Sequence, residues 1–244
     1  MVSLLKLPFL QDKHLERLAQ SPDPADAPIL DRELITPLKT AIQAVEDSKA
    51  AGTVLAPANT PTADLGNRLT TLHILEAPFR SDLARVVVGV ELPLEAPADR
   101  FPAAVQKLRY FLWEVPEHVL RQTLWDRGLA PVAPPERAVQ LGQAMAYLGR
   151  KLAAVEEGAW DDGALKRTIG EAWVDEAYCA LFSTPKSVVN VYKPLRWALL
   201  AMDGGMDLSR TMVILGRDET LRRLDLARSV AEDVAAADLP PIVN

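Results

Sequence analysis

The chain has 244 residues, of which 49% are hydrophobic and 25% are charged, a composition typical of a folded globular protein rather than a disordered one. Its single cysteine excludes an intrachain disulfide and leaves too few ligands for a cysteine-based zinc site. The net charge of −6 argues against a protein that coats bulk nucleic acid, although it allows a local basic face.

The first half of the chain alternates helical periodicity with proline-rich loops. Apolar residues recur at helical spacing from Leu30 to Val45, with Asp31 as the predicted cap and Gly52 as the stop. Further helices are predicted over residues 65–75, 103–113 and 117–125, and loops over 52–64 and 93–102. Residues 83–92 fit either a short strand or a buried helix, so the structure of residues 77–100 stays open.

A proline-rich segment near the middle of the chain predicts an internal boundary. Residues 128–135 read GLAPVAPP, which favours a stiff, extended linker. We therefore expect an N-terminal helical subdomain over residues 1–130 and a C-terminal helical subdomain over residues 136–240.

The C-terminal half shows the stronger helical pattern. Helices are predicted over residues 136–155, 161–182, 187–201, 208–215 and 218–237. Pro194 either kinks its helix or marks the first turn, and Gly216 is a predicted C-cap. The predicted fold class is mainly α, a helical bundle in two subdomains.

Residues that could support catalysis do not form a recognisable arrangement. His14, His73 and His118 are far apart in sequence, and Cys179 lies in an apolar helical segment where a buried, inert thiol is expected. The sequence contains no glycine-rich phosphate loop and no G-x-S-x-G motif. We therefore predict no catalytic residue, no metal site and no cofactor. No apolar run approaches the roughly 20 residues needed to span a bilayer, so no membrane partner is expected.

The segment 193–224 carries three consecutive motifs without a gap: KPLRWALLAMDGGMDLSRTMVILGRDETLRRL. It resembles the C-terminal anticodon-binding region of glutamyl-tRNA synthetases, which are class I aminoacyl-tRNA synthetases. The positions that match the family pattern are Leu195, Arg196, Ala198, Leu199, Gly205, Leu208, Leu215, Gly216, Leu221, Arg223 and Leu224. The upstream sequence Leu7-Pro8-Phe9-Leu10 is similar to the connection that leaves the catalytic domain in mitochondrial-type members.

The resemblance implies a helix-cage fold, with a connector and an insertion in the N-terminal subdomain, and a role in holding tRNA. It implies that anticodon bases are contacted at the positions of Lys193, Arg196, Gly205, Met206 and Leu208. The basic helical face expected to hold the RNA adds Arg210, Arg217, Arg222 and Arg223, although the same pattern also fits a solvated helix face. The sequence departs from the family pattern at two places, since Leu200-Ala201 replaces Thr-Gly and Met206 replaces the loop proline.

The family's catalytic motifs, of the HxGH and KMSKS types, are absent from this sequence. The chain is therefore expected not to be an enzyme by itself, and to serve a glutamate–tRNA ligase only as part of a longer or split enzyme. Its expected partners are tRNA or another RNA, a separate catalytic subunit, or a ribosomal or other protein assembly. The resemblance favours the mitochondrial matrix, with the cytoplasm as the alternative, since the N-terminus shows no clear presequence.

A second hypothesis is a synthetase-derived structural protein that has been recruited into a larger assembly, such as the mitochondrial ribosome. The acidic net charge and the altered loop at Met206 favour it. Exposed tryptophans would then anchor the protein, and the candidates are Trp113, Trp125 and Trp160.

Overall fold

A computed structural model of the chain describes residues 8–21, 23–52, 64–90, 100–125, 136–182, 190–201 and 206–237. These residues fall into two compact units, Met1–Glu114 and Val115–Asn244. Both units are helical, and the described residues contain no β-strand apart from one isolated bridge. The predicted mainly-α class is confirmed.

The described residues of the N-terminal unit contain five α-helices. They are α1 (Pro8–Gln20), α2 (Ala27–Leu30), α3 (Thr36–Ala50), α4 (Arg80–Val88) and α5 (Arg100–Leu112). A five-residue π-helical stretch, Asp31–Ile35, joins α2 to α3, so Asp31 lies inside the helical run and is not its cap. The ambiguous segment around residue 83 is the helix α4. Of the predicted loops over 52–64 and 93–102, residues 53–63 and 93–99 lie outside the described residues. The second loop prediction is wrong at residues 100–102, which form the first turn of α5.

The prediction of a helix over residues 65–75 is wrong. This segment is extended at Arg68, where it forms an antiparallel bridge with Trp113, and only His73–Leu75 makes a short 3₁₀ turn. Gly66 N donates to Glu114 O at 3.1 Å, and a Cβ atom at Gly66 would lie 2.8 Å from that oxygen. Pairing with a distant part of the chain therefore overrides the helical spacing of its leucines.

In the C-terminal unit, the part of the chain that the structure describes contains seven α-helices. They are α6 (Glu117–Thr123), α7 (Glu136–Ala153), α8 (Asp162–Val174), α9 (Glu176–Cys179), α10 (Tyr192–Leu200), α11 (Leu208–Leu215) and α12 (Arg217–Ala237). The helix predicted over 161–182 begins as expected, because the side chain of Asp161 accepts from Ala164 N at 2.8 Å. The structure has two helices in this range, α8 and α9, which are separated at Asp175. The side chain of Asp175 caps α9 by accepting a hydrogen bond from Ala177 N.

The long helices α7 and α12 pack side by side and form the centre of the C-terminal unit. The approach is close at Gly142, where an added Cβ would lie 3.4 Å from Glu232 Cγ and 3.7 Å from Ala231 Cβ. Fully buried leucines such as Leu141 and Leu224 line the contact between these helices and their neighbours. Burial of this apolar surface is the main stabilising contribution.

The division between the units falls earlier in the chain than the proline-rich linker predicts. Helix α6 belongs to the C-terminal unit because the indole Nε1 of the buried Trp197 donates to Leu120 O at 3.2 Å and to Thr123 Oγ1 at 3.1 Å. The predicted linker over 128–135 lies outside the described residues. The roles assigned to the two subdomains stay a prediction.

Candidate nucleic-acid interface

The first turns of α10 present two of the predicted RNA-contacting side chains. Lys193 is exposed and Arg196 is half-buried, one turn further along the same helix. Neither makes an ion pair among the described residues, and Arg196 Nη1 is shielded from solvent without a hydrogen-bond partner. Lys193 therefore keeps exposed donors for an external acceptor, whereas Arg196 can offer only the guanidinium nitrogens other than its shielded Nη1.

The end of α10 is held in an unusual backbone conformation. Ala201 follows the last helical residue with φ 48° and ψ 37°, in the left-handed region, and its N–H donates to Trp197 O at 2.8 Å. An L-residue other than glycine, asparagine or aspartate adopts this region at a cost. The resembling family carries glycine at this position, so the backbone keeps a glycine-like turn although the residue has changed.

The start of α11 is fixed by a capping aspartate. Asp207 Oδ1 accepts from Ser209 N at 3.1 Å, and the Ser209 hydroxyl, which lies 2.6 Å away, lowers the pKa of Asp207. The Ser209 Oγ atom also lies 2.5 Å from Asp162 Oδ1 on α8. Met206 is half-buried just before this cap, and Gly205 lies outside the described residues. The cap therefore fixes where α11 begins.

Two of the residues predicted to contact RNA are buried, which corrects the prediction for them. The Arg223 side chain is completely buried, and it donates from Nε to Glu219 Oε1 at 2.6 Å and from Nη1 to Leu199 O at 2.5 Å. Leu208 is only 2% exposed in the core of the unit. Neither side chain reaches solvent, so neither can touch an RNA in this structure, and Arg223 instead ties α12 to the end of α10.

The other three predicted arginines are already engaged. Arg217 donates to Ala153 O at 2.8 Å and to Val155 O at 3.2 Å, where it satisfies carbonyls at the end of α7. Arg222 makes two bonds to the Glu219 carboxylate, at 2.7 and 2.9 Å. Arg210 is half-buried in the first turn of α11. Lys193 and Arg196 are therefore the predicted basic residues that other described side chains engage least, and RNA contact by any of the predicted residues that reach solvent stays a prediction.

Burial by itself raises the pKa of Glu219, but the hydrogen bond from Arg222 and the charge of Arg223 outweigh it and lower that pKa below its ordinary value. The carboxylate is therefore ionised near neutral pH and bonded to both arginines. This arrangement locks one turn of α12 and leaves Glu219 with little capacity for a further ligand.

An exposed aromatic pair lies beside Lys193 and was not predicted from the sequence. Trp173, at the end of α8, is 45% exposed, and Tyr192, at the start of α10, is 38% exposed. Their ring centroids are 5.7 Å apart with an interplanar angle of 85°. The sequence feature that could have indicated this pair is the apolar dipeptide Trp173-Val174, which lies at a helix end and is followed directly by the capping residue Asp175.

The tryptophans proposed as anchors for a larger assembly are less exposed. Trp113 is fully buried and donates its indole N–H to the Glu46 carboxylate. Trp160 is half-buried and donates to Met212 O at 3.1 Å, and Trp125 is also half-buried. The structure therefore removes Trp113 from the candidate anchors.

A groove of about 420 Å³ lies between α7 and α12. It is lined by Met145, Ala146, Gly149, Arg150, Ala153, Leu221, Leu224, Asp225 and Arg228. Arg228 is held by Asp225 at 2.6 Å and by Glu232 at 3.3 Å. None of the eight predicted RNA-contacting residues that the structure describes lines this groove, so it is separate from the surface on α10.

Among the described residues, no group of three or more histidine, cysteine, aspartate or glutamate side chains is placed to hold a metal ion. In the same part of the chain, no helix combines the length and the apolar character needed to cross a bilayer. Cys179 is buried, as predicted.

Comparison with known proteins identifies one segment of the chain. Residues 141–228, which are 88 of the 244 residues, match the family model described as an anticodon binding domain. The matched segment begins inside α7, ends inside α12 and includes all of α10 and α11. No curated protein and no solved structure matches the chain. The match supports an anticodon-binding domain of the aminoacyl-tRNA synthetase kind, without distinguishing the glutamyl type.

Proposed function

We propose that the chain binds tRNA through its C-terminal unit and that α10 supplies the contacting surface. The observation that carries this proposal is the anticodon-binding match over residues 141–228. The geometry supports it because Lys193 and Arg196, at the centre of the matched segment, make no ion pair among the described residues.

The chemistry of these two side chains suits an RNA loop. A lysine ammonium neutralises a phosphate as a point charge, and an arginine guanidinium donates in a plane to a phosphate or to the edge of an unpaired base. Within the matched segment the basic and acidic residues are equal in number, so the whole net charge of −6 belongs to the rest of the chain. The acidic surplus of the molecule is therefore not concentrated on the proposed surface.

The test is tRNA binding by the full chain at two salt concentrations. We expect a dissociation constant tighter than tens of micromolar at low salt, and a loss of affinity of about tenfold for the Lys193→Ala/Arg196→Ala double variant. We expect the salt slope to decrease by about 1 for each contact removed.

The matched control is the double variant Lys39→Ala/Arg32→Ala, which removes the same charge from exposed positions in the N-terminal unit. Equal losses in the two double variants would show only a general charge effect and would contradict the proposed surface. An absence of salt-sensitive tRNA binding in the unmodified chain would contradict the proposed function itself.

We further propose that the bound RNA is the glutamate tRNA, that the chain acts in translation in the mitochondrial matrix, and that catalysis takes place on another part of a longer or split synthetase. The motif resemblance over residues 193–224 supports these finer assignments. A comparison of glutamate tRNA with tRNAs of other identities tests the first, and imaging of the tagged protein tests the location. The alternative role in a ribosomal assembly stays a prediction, which co-sedimentation with ribosomal particles would test.

A further inference from the structure

Trp173 and Tyr192 form an exposed aromatic pair between two helices. Trp173 comes from the last turn of α8 and Tyr192 from the first turn of α10, and their rings meet edge to face with centroids 5.7 Å apart. Val174, which follows Trp173, is 72% exposed and extends the apolar surface.

This pair differs from the other large aromatic residues of the same unit. Trp197 and Tyr178 are at most 1% exposed and pack in the core, as bulky rings normally do. A single exposed aromatic side chain needs no explanation, but two in mutual contact hold each other in a fixed orientation and keep ring surface in water. Such a rigid pair is suited to a flat ligand that covers a ring face.

The charges beside Tyr192 on α10 favour an anionic partner. Lys193 is adjacent to Tyr192, and Arg196 is one helical turn from Tyr192 on the same side of α10. The nearby carboxylate of Asp175 is already held by Lys151 at 3.1 Å. Aromatic rings beside free cations are the combination that binds unpaired nucleotides, in which bases stack and phosphates are neutralised.

We propose that Trp173 and Tyr192 form a stacking platform for an unpaired nucleotide of the bound RNA, while Lys193 and Arg196 contact its flanking phosphates. The inference rests on the proposed RNA-binding function and adds to it a second element, the end of α8. The platform recognises a flat base without regard to its hydrogen-bonding edge, so it contributes affinity for single strands rather than sequence specificity.

The test measures binding of the full chain to two probes. One is an RNA stem-loop with a single-stranded loop, and the other is a fully paired RNA duplex of the same length. We expect Trp173→Ala to weaken stem-loop binding by about tenfold and to leave duplex binding unchanged, because only unpaired bases stack on a protein ring. Trp173→Phe restores most of the affinity since it keeps an aromatic face.

Three further variants make the result specific. Trp173→Leu keeps apolar bulk without a ring and is expected to behave as Trp173→Ala, which separates stacking from simple packing. Tyr192→Leu is expected to weaken stem-loop binding in the same way, because it removes the second ring of the pair. Val139→Ala, at an exposed position that is 49% accessible on α7, is the control for loss of exposed apolar surface.

Each outcome decides between the platform and the function on which it rests. Unchanged stem-loop binding by a folded Trp173→Leu, together with weakened binding by Lys193→Ala/Arg196→Ala, overturns the platform and leaves the proposed function standing. Equal losses on stem-loop and duplex also overturn it. If the unmodified chain binds neither probe, the platform and the proposed RNA-binding function are both contradicted. Binding of a protein partner that depends on Trp173 would then identify the pair as a protein-docking surface.

Discussion

Arginine side chains that look alike in the sequence have three different environments in the structure. Arg196 retains a guanidinium nitrogen without a hydrogen-bond partner, Arg217 satisfies backbone carbonyls at the end of α7, and Arg223 is buried against Glu219 and a carbonyl of α10. The carbonyls that bind Arg217 and Arg223 are 24 to 64 residues away in the chain. The sequence could therefore identify a basic segment but could not show which of its members reach solvent.

At the residue scale, we predict that Arg223 and its neighbour Arg222 differ sharply in their effect on stability. Arg223→Met leaves the carboxylate of Glu219 without its buried partner and removes the guanidinium donor to Leu199 O, so a loss of about 3–5 kcal/mol is expected. Arg222→Met removes only the partly exposed pair with the same carboxylate, and a loss within about 1 kcal/mol is expected. Urea unfolding of the two variants measures both losses.

The comparison tests the structural assignment of Arg223 directly. If the two variants lose equal stability, Arg223 is not the buried clamp between α12 and the end of α10. If Arg223→Met keeps its stability and loses RNA affinity instead, the original expectation of an RNA contact is restored.

At the scale of elements, helical periodicity in the sequence identifies most helices. It fails where a backbone contact with a distant segment determines the local conformation. The apolar spacing over 136–155 and 208–215 corresponds to α7 and α11 because those faces pack against neighbouring helices. The same spacing over 65–75 is misleading, since only Leu65 of its four regularly spaced leucines is buried. Its backbone instead pairs with residues 112–114, a contact that no local pattern reveals.

The end of α10 allows a second prediction at this scale. Ala201 has a left-handed backbone, so Ala201→Gly removes the conflict between Cβ and the backbone and is expected to stabilise the fold by about 1 kcal/mol. Ala198→Gly is the control, because the same change inside the right-handed helix also removes a buried methyl group and is expected to destabilise by about 1 kcal/mol or more. A higher urea midpoint for Ala201→Gly and a lower one for Ala198→Gly would confirm the left-handed turn, and destabilisation by both variants would contradict it.

At the scale of the whole molecule, the described acidic side chains whose pKa values are lowered lie in the C-terminal unit. Besides Glu219, they are the capping residues Asp175 and Asp207 and the first-turn residue Asp162. The hydrogen bond from Lys166 is the largest contribution at Asp162. The Tyr147 hydroxyl, followed by the Lys151 ammonium and the Ala177 N–H, lowers the pKa of Asp175 to about 2. Each of these carboxylates is more easily ionised in the folded chain than in the unfolded chain.

These shifts predict how stability depends on pH. A carboxyl group whose pKa is lower in the folded state contributes stability that is fully present above its ordinary value, 3.8 for aspartate, and is lost as the pH falls towards the folded value. The free energy of unfolding is therefore expected to be insensitive to these groups between about pH 5 and 8 and to fall steeply below about pH 4.

The variant Asp175→Asn isolates one contribution to this acid transition. Asparagine still accepts the N–H of Ala177 as a helix cap, but it cannot ionise and cannot pair with Lys151. The stability difference between the unmodified chain and this variant is expected to be largest above pH 3.8 and to vanish as the pH approaches 2. Urea unfolding at a series of pH values measures it, with Asp23→Asn, at the exposed cap of a short turn in the N-terminal unit, as the matched control. A difference that stays constant across the series would show that Asp175 acts only as a cap, and that ionisation of its carboxyl group is not coupled to folding.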